Sequence, residues 1–156
     1  MLDVADRMSE TTRELFASMI GLRAVEGPLI DLPHTAAGME IVAFVGLSGT
    51  SAGMLGVYAS GALARQIAGG LLGEEPAELD DEVRDAFGEV ANIIAGNVAI
   101  ALGDVGQTIQ LSLPSVIVGK FLVTTIVNTV PPRRAKKFSV DGEDFYVELA
   151  LRTDED

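Results

Sequence analysis

The apolar pattern of the chain predicts an α+β fold in which an extended, mostly antiparallel sheet is covered by about three helices. Three observations carry this. Apolar residues recur at helical spacing in three separate stretches, they alternate with polar ones through much of the second half, and short glycine-containing turns join the alternating segments in pairs. With 156 residues, 48% hydrophobic and 22% charged, the chain has room for one domain with a substantial core and little room for a second, so residues 1–156 are read as a single domain.

Val4, Met8, Leu15, Met19 and Leu22 recur near helical spacing, which predicts an amphipathic helix from the N-terminus to Gly21 with Asp6, Arg7, Glu10, Arg13 and Glu14 on its outer face. Extended segments follow at Val25 to Leu32, Met39 to Leu47 and Gly53 to Ala59, the last two joined as a hairpin by Ser48-Gly49-Thr50-Ser51-Ala52. Ser60 is a suitable N-cap for a helix through Leu72, and Gly73-Glu74-Glu75-Pro76 separates that helix from a long one starting near Asp80 and stopping at Gly103. Ile109, Leu111 and Leu113 then alternate with Thr108, Gln110 and Ser112, and an apolar run from Phe121 to Val130 ends at Pro131-Pro132. Phe138 and Val140 lead through Asp141-Gly142-Glu143 into Phe145, Val147, Leu149 and Leu151, a second hairpin. Leu32-Pro33 before Gly38 matches Leu113-Pro114 before Gly119 at the same spacing, a weak internal duplication. Aligning the first helix with the third sets Met8 and Thr11, or Glu10 and Arg13 with a slip of two, against Glu89 and Asn92.

The long helix carries the candidate site. Asp85, Glu89, Asn92 and Gly96 fall at spacings of four, three and four and share one face, while Val83, Phe87, Val90, Ile94, Val98 and Ala101 gather on the other. Two glycines within this helix, Gly88 and Gly96, each cost about 1 kcal/mol against alanine and point, with Ala99, to a partner surface that comes close. Asn97 lies toward the edge of the buried face, which favours a structural hydrogen bond.

Composition removes other classes. A net charge of −12 opposes nucleic-acid phosphates and anionic membrane surfaces, so neither nucleic acid nor membrane is an expected partner. Without cysteine and with one histidine, disulfides, thiolate zinc sites and cysteine nucleophiles are out of reach. The acidic start and the lack of an apolar run of about 18 residues lead us to expect a cytoplasmic protein. Gly49-Thr50-Ser51-Ala52-Gly53 has the form of a hydrolase nucleophile elbow, but strand patterns flank it on both sides and the single histidine, His34, precedes it. The glycines at 46, 49 and 53 lack the Gly-Lys-Ser/Thr of a phosphate loop. His34 is read as a loop residue without a role, and Arg133-Arg134-Ala135-Lys136-Lys137 as a solvated strand edge, with docking to an acidic partner as the other reading.

The string Asp85-x3-Glu89-x2-Asn92-x3-Gly96-Asn97 resembles the signature helix of the CheC/CheX/FliY phosphatases of bacterial chemotaxis, and with one complete motif the chain is most similar to the CheX branch. The resemblance extends to helix order, the Leu113-Pro114 to Gly119 stretch and the closing hairpin. It implies a CheC-like fold and dephosphorylation of the phospho-aspartate on a CheY-type response regulator. In that reading Asn92 reaches the regulator's active site, Glu89 anchors, and Asp85 and Gly96 are partner-binding positions. Asp85 could equally steady Glu89 or be a plain surface carboxylate. The resemblance also implies a homodimer and no cofactor of the chain's own, Mg²⁺ being expected in the partner response regulator. The alternative is a non-catalytic module, such as a flagellar-switch component, that binds the regulator with the same helix. An unrelated small-ligand sensor is a third class.

Overall fold

The computed structural model describes residues 4–31, 39–49, 52–102, 109–119 and 134–151. Helix α1 (Val4–Leu15) runs on into a π-helical turn, Phe16–Ile20, which stops at Gly21 in the left-handed conformation (φ 80°). Strand β1 (Val25–Asp31) precedes the hairpin of β2 (Ile41–Gly49) and β3 (Gly53–Ala59). Helices α2 (Gly61–Leu72) and α3 (Asp81–Leu102) follow, then the short strands β4 (Ile109–Leu111) and β5 (Ser115–Val118) and the hairpin of β6 (Arg134–Val140) and β7 (Glu143–Leu151).

The strands form a seven-stranded sheet in the order β1-β6-β7-β3-β2-β4, with β5 also paired to β2. Each described pairing is antiparallel. Asp141 (φ 50°) and Gly142 (φ 84°) both adopt positive φ, the requirement of a tight two-residue hairpin turn, which is why Asp-Gly marked it in the sequence. The α2 boundaries follow from capping: the Ser60 hydroxyl accepts from the Leu63 N–H at 3.2 Å, and Gly73 closes the helix in the left-handed region (φ 86°).

The three helices cover one face of the sheet. Met8, Phe16, Leu63, Ile67, Phe87, Val90 and Ile94 pack in one cluster with Ile41, Val45, Leu55, Val57, Phe138 and Phe145. Three rings form a tier at its centre, Phe16 stacking on Phe145 at 4.8 Å and Phe138 on Phe145 at 5.2 Å. The alternate residues Val42, Tyr58 and Tyr146, with Met39 and Ala135, make a smaller cluster on the opposite face. There the Tyr58 hydroxyl donates to the buried Glu148 carboxylate at 2.7 Å, and burial raises the Tyr146 phenol above its ordinary value of 10.0, with Asp144 adding to the rise and Lys137 opposing it.

Three expectations need correction. The alternation through Leu113 does not continue as strand: Leu113 and Pro114 together oppose Val45, because Leu111 pairs with Leu47 and Ser115 with Phe44. This one-residue bulge puts Leu113 into solvent instead of on the core face. The basic stretch is not an edge, since β6 lies between β1 and β7, and its lysines are engaged, Lys136 with Glu26 at 2.9 Å and Lys137 with Asp144 at 3.3 Å. By length and composition α3 is also apolar enough to cross a bilayer, yet Val83, Phe87, Val90, Ile94 and Val98 are fully buried against the sheet and its neighbouring helices. The apolar run Phe121 to Val130, His34, Arg133, Gly103 and the first copy of the Leu-Pro…Gly duplication lie outside the described residues.

Candidate functional site on the third helix

Helix α3 begins where Asp80 caps it, its Oδ1 accepting from the Val83 N–H at 3.0 Å, and Asp81 and Glu82 add negative charge at the positive end of the helix dipole. The apolar stripe then fixes the rotation of the helix. With one side committed to the core, residues about 180° away must face outward. Asp85 and Glu89 are exposed, and Asn92 and Gly96, on the same line, are half-buried. Among the described residues none of the Asp85, Glu89 or Asn92 side chains has a hydrogen-bond or ion-pair partner. A carboxylate and a carboxamide one turn apart, with Cβ atoms about 5–6 Å from each other, are therefore both unoccupied and presented together.

The flanks are built differently. On one side Asn97 donates from Nδ2 to the Ile93 carbonyl at 3.2 Å, the structural bond its position predicts. On the other, Gly88 is buried, and a Cβ built there would meet Val116 Cγ2 at 3.3 Å and Pro114 Cβ at 3.5 Å. The close approach anticipated at Gly88 is thus made by the chain's own β5, not by a partner. Gly96 differs: a Cβ there would meet nothing within 4 Å, so no packing within the described residues accounts for the glycine.

Helix α1 offers no second pair. Met8 and Thr11, the counterparts of Glu89 and Asn92, are buried, and in the slipped alignment Arg13 is held by Glu26 at 3.4 Å. The nucleophile-elbow reading fails on its flanks, because Gly49 ends one strand and Gly53 begins its antiparallel neighbour, where an elbow leads from a strand into a helix. An open hollow of about 720 Å³ lies between the end of α1 and β1, lined by Arg13, Leu22, Arg23 and Glu26 among others; no residue of α3 lines it.

Residues 41–130 match the family model described as "Chemotaxis phosphatase CheX". The chain belongs to the CheX family. Over 141 residues it is 24% identical to the CheY-P phosphatase CheX of Thermotoga maritima, covering 90% of each chain. The crystal structure of CheX from Desulfovibrio desulfuricans superposes with a TM-score of 0.82 at 25% identity, covering 97% of this chain and 100% of that one. The CheX of a CheX-CheY-BeF₃-Mg²⁺ complex from Borrelia burgdorferi superposes with a TM-score of 0.79 at 24% identity, over 98% of this chain and 100% of the other. These CheX structures share the sheet-and-helix plan, so the fold expected from the motif helix is the fold found.

Two features of the site escaped the sequence reading. The line of Asp85, Glu89, Asn92 and Gly96 continues four residues further to Ile100, which is exposed, and the bulge exposes Leu113 next to Pro114, which packs on the same helix at Gly88. The first signal was available in the spacing. The second was not, because it depends on how 109–118 pairs with β2.

Proposed function

We propose that this chain is a phosphatase of the phospho-aspartate on a CheY-type response regulator, acting with the exposed line of α3. An acyl phosphate is intrinsically reactive, so the catalyst needs mainly to hold one water in line with phosphorus. A neutral carboxamide suits that task because it donates to and accepts from the same water. Asn92 would orient the water, and Glu89 would anchor the regulator by pairing with the lysine beside its phosphorylated aspartate. Asp85 and Gly96 would border the contact. Mg²⁺ would come with the partner, as a complex of CheX, CheY, BeF₃ and Mg²⁺ is known for the Borrelia protein. Each protein then holds half of the site.

The observation that carries this reading is the pair itself: a carboxylate and a carboxamide one turn apart, outward and without partners among the described residues, in a chain of the CheX family. The wider reading is one domain over residues 1–156, in the cytoplasm and as a homodimer, which the family resemblance supports.

The experiment follows loss of phosphoryl label from a panel of the organism's receiver domains, with wild-type protein, with Asn92→Ala and with neither. The proposal expects accelerated loss from one receiver and none with Asn92→Ala. Full activity in that variant removes the mechanism, and binding without acceleration by the wild type replaces it with the non-catalytic module.

A further inference from the structure

Two large apolar side chains stand in water around the Glu89 and Asn92 line. Leu113 is 87% exposed and Ile100 is 68% exposed, more than any other large apolar residue described. A single exposed leucine needs no explanation, because much of any protein surface is apolar. What sets these two apart is how they are held and where.

Leu113 is presented by a pinned backbone. The Ser112 hydroxyl accepts from the Gly46 N–H at 2.8 Å and donates to the Leu113 carbonyl at 3.0 Å. On its other side Pro114 rests against Gly88, where a Cβ would come within 3.5 Å of the ring. A loose loop could fold its leucine inward; this one is tied to β2 on one side and to α3 on the other. Ile100 is fixed by the helix, four residues beyond Gly96 on the same line and about 12 Å along the axis from Asn92.

We propose that Leu113 and Ile100 are the apolar anchors by which this chain grips the receiver domain, bracketing the polar pair that acts on the phosphoryl group. This rests on the proposed function. An interface of ordinary size buries about 800 Å² per partner, a disc of about 16 Å radius. Gly88, which Pro114 touches, is the residue before Glu89, so both anchors lie within reach of a body of that size seated on the polar pair. Charge points the same way. Asp81, Glu82, Asp85 and Glu89 are all exposed on a chain of net charge −12, and a receiver pocket built of carboxylates offers such a surface no long-range attraction. Apolar burial supplies affinity that this repulsion does not cancel.

The test uses full-length protein and the CheY-type receiver domain of the same organism that it binds, loaded with BeF₃⁻ and Mg²⁺. Kd is measured for wild type, Leu113→Ser, Ile100→Ser and Ile117→Ser, turnover on the phosphorylated receiver is followed in parallel, and sedimentation gives the mass of each variant. Ile117 is also exposed but alternates with Val116, the residue that meets Gly88, and so projects from the other face of the sheet. We expect Leu113→Ser and Ile100→Ser each to weaken binding about tenfold, with the loss in kcat/KM carried by KM, and Ile117→Ser to bind as wild type. Wild-type affinity in both anchor variants overturns the proposal, and so does an equal loss in Ile117→Ser. A fall in self-association at unchanged receiver affinity overturns it too and assigns the patch to a second copy of the chain. Wild type that binds but does not hydrolyse, with binding still lost in the anchor variants, keeps the anchors and removes the phosphatase. Wild type that binds no receiver removes both.

Discussion

Asn92 and Glu89 are one helical turn apart, and the proposed chemistry asks different things of them. Removing the carboxamide takes away the group that holds water only in the transition state, so Asn92→Ala is expected to lower kcat by at least about 100-fold while Kd for the loaded receiver stays within about twofold. Removing the carboxylate takes away a contact present in the ground state, so Glu89→Ala is expected to raise KM first. Titrating both variants with phosphorylated receiver separates the two, and equal effects on kcat and KM in both would contradict the division of labour. Gly96 gives a sharper test, because stability and function should move in opposite directions. A Cβ there meets nothing within 4 Å among the described residues, and alanine in place of glycine inside a helix is worth about 1 kcal/mol, so Gly96→Ala should raise the urea midpoint. If the glycine leaves room for the regulator's backbone, the same variant should bind the loaded receiver more weakly. Higher stability with unchanged binding would remove Gly96 from the interface.

At the scale of elements, glycines that look alike in sequence have opposite duties. Gly70 lies in α2 near Ile20, and a Cβ built on it would run into the Ile20 carbonyl, with the Ile20 carbonyl carbon at 2.8 Å. Those are backbone atoms of the π-helical turn and cannot swing aside. Gly70→Ala is therefore expected to cost about 1–3 kcal/mol, read as a lower urea midpoint, against the gain that helix propensity alone would give. An increase in stability would show that α2 and the π turn can separate at little cost. This contrast also marks what a sequence reader can see. The helix spans of α2 and α3, the β2–β3 and β6–β7 hairpins and the outward line of α3 were legible because local chemistry sets them: Ser60 and Asp80 as caps, Gly73 at positive φ, Asp141-Gly142 in a tight turn. Leu113 was not legible, since its exposure depends on Val45 facing two residues instead of one. Nor was the interior place of β6, because Lys136 and Lys137 read as edge charges until Glu26 and Asp144, distant in sequence or across a turn, are seen beside them. Gly88 was recognised as a site of close approach, but the approaching surface was β5 of the same chain.

At the scale of the whole molecule, the uncomfortable quantity is charge. The chain carries −12, and the homodimer that the family resemblance leads us to propose would carry −24, twice that value. Its expected mass in sedimentation at micromolar concentration is that of two 16.3 kDa chains; the mass of one chain would count against the dimer. Repulsion then bears on encounter with a partner whose pocket is also acidic. At low salt the field reaches about 30 Å and at physiological ionic strength about 8 Å, so added salt removes the long-range repulsion before it weakens contacts already buried. Most complexes between oppositely charged proteins associate more slowly as salt rises. Here the reverse is expected: the association rate constant with the loaded receiver should increase between about 10 mM and 150 mM salt. The dissociation rate should change little if burial of Leu113 and Ile100 holds the complex, and more if the Glu89 contact does. Stopped-flow association across that salt range measures both rates. A steep fall in association with salt would show that a local basic patch, and not the net charge, governs encounter, and Lys136 and Lys137, which are already paired with Glu26 and Asp144, are poorly placed to supply one.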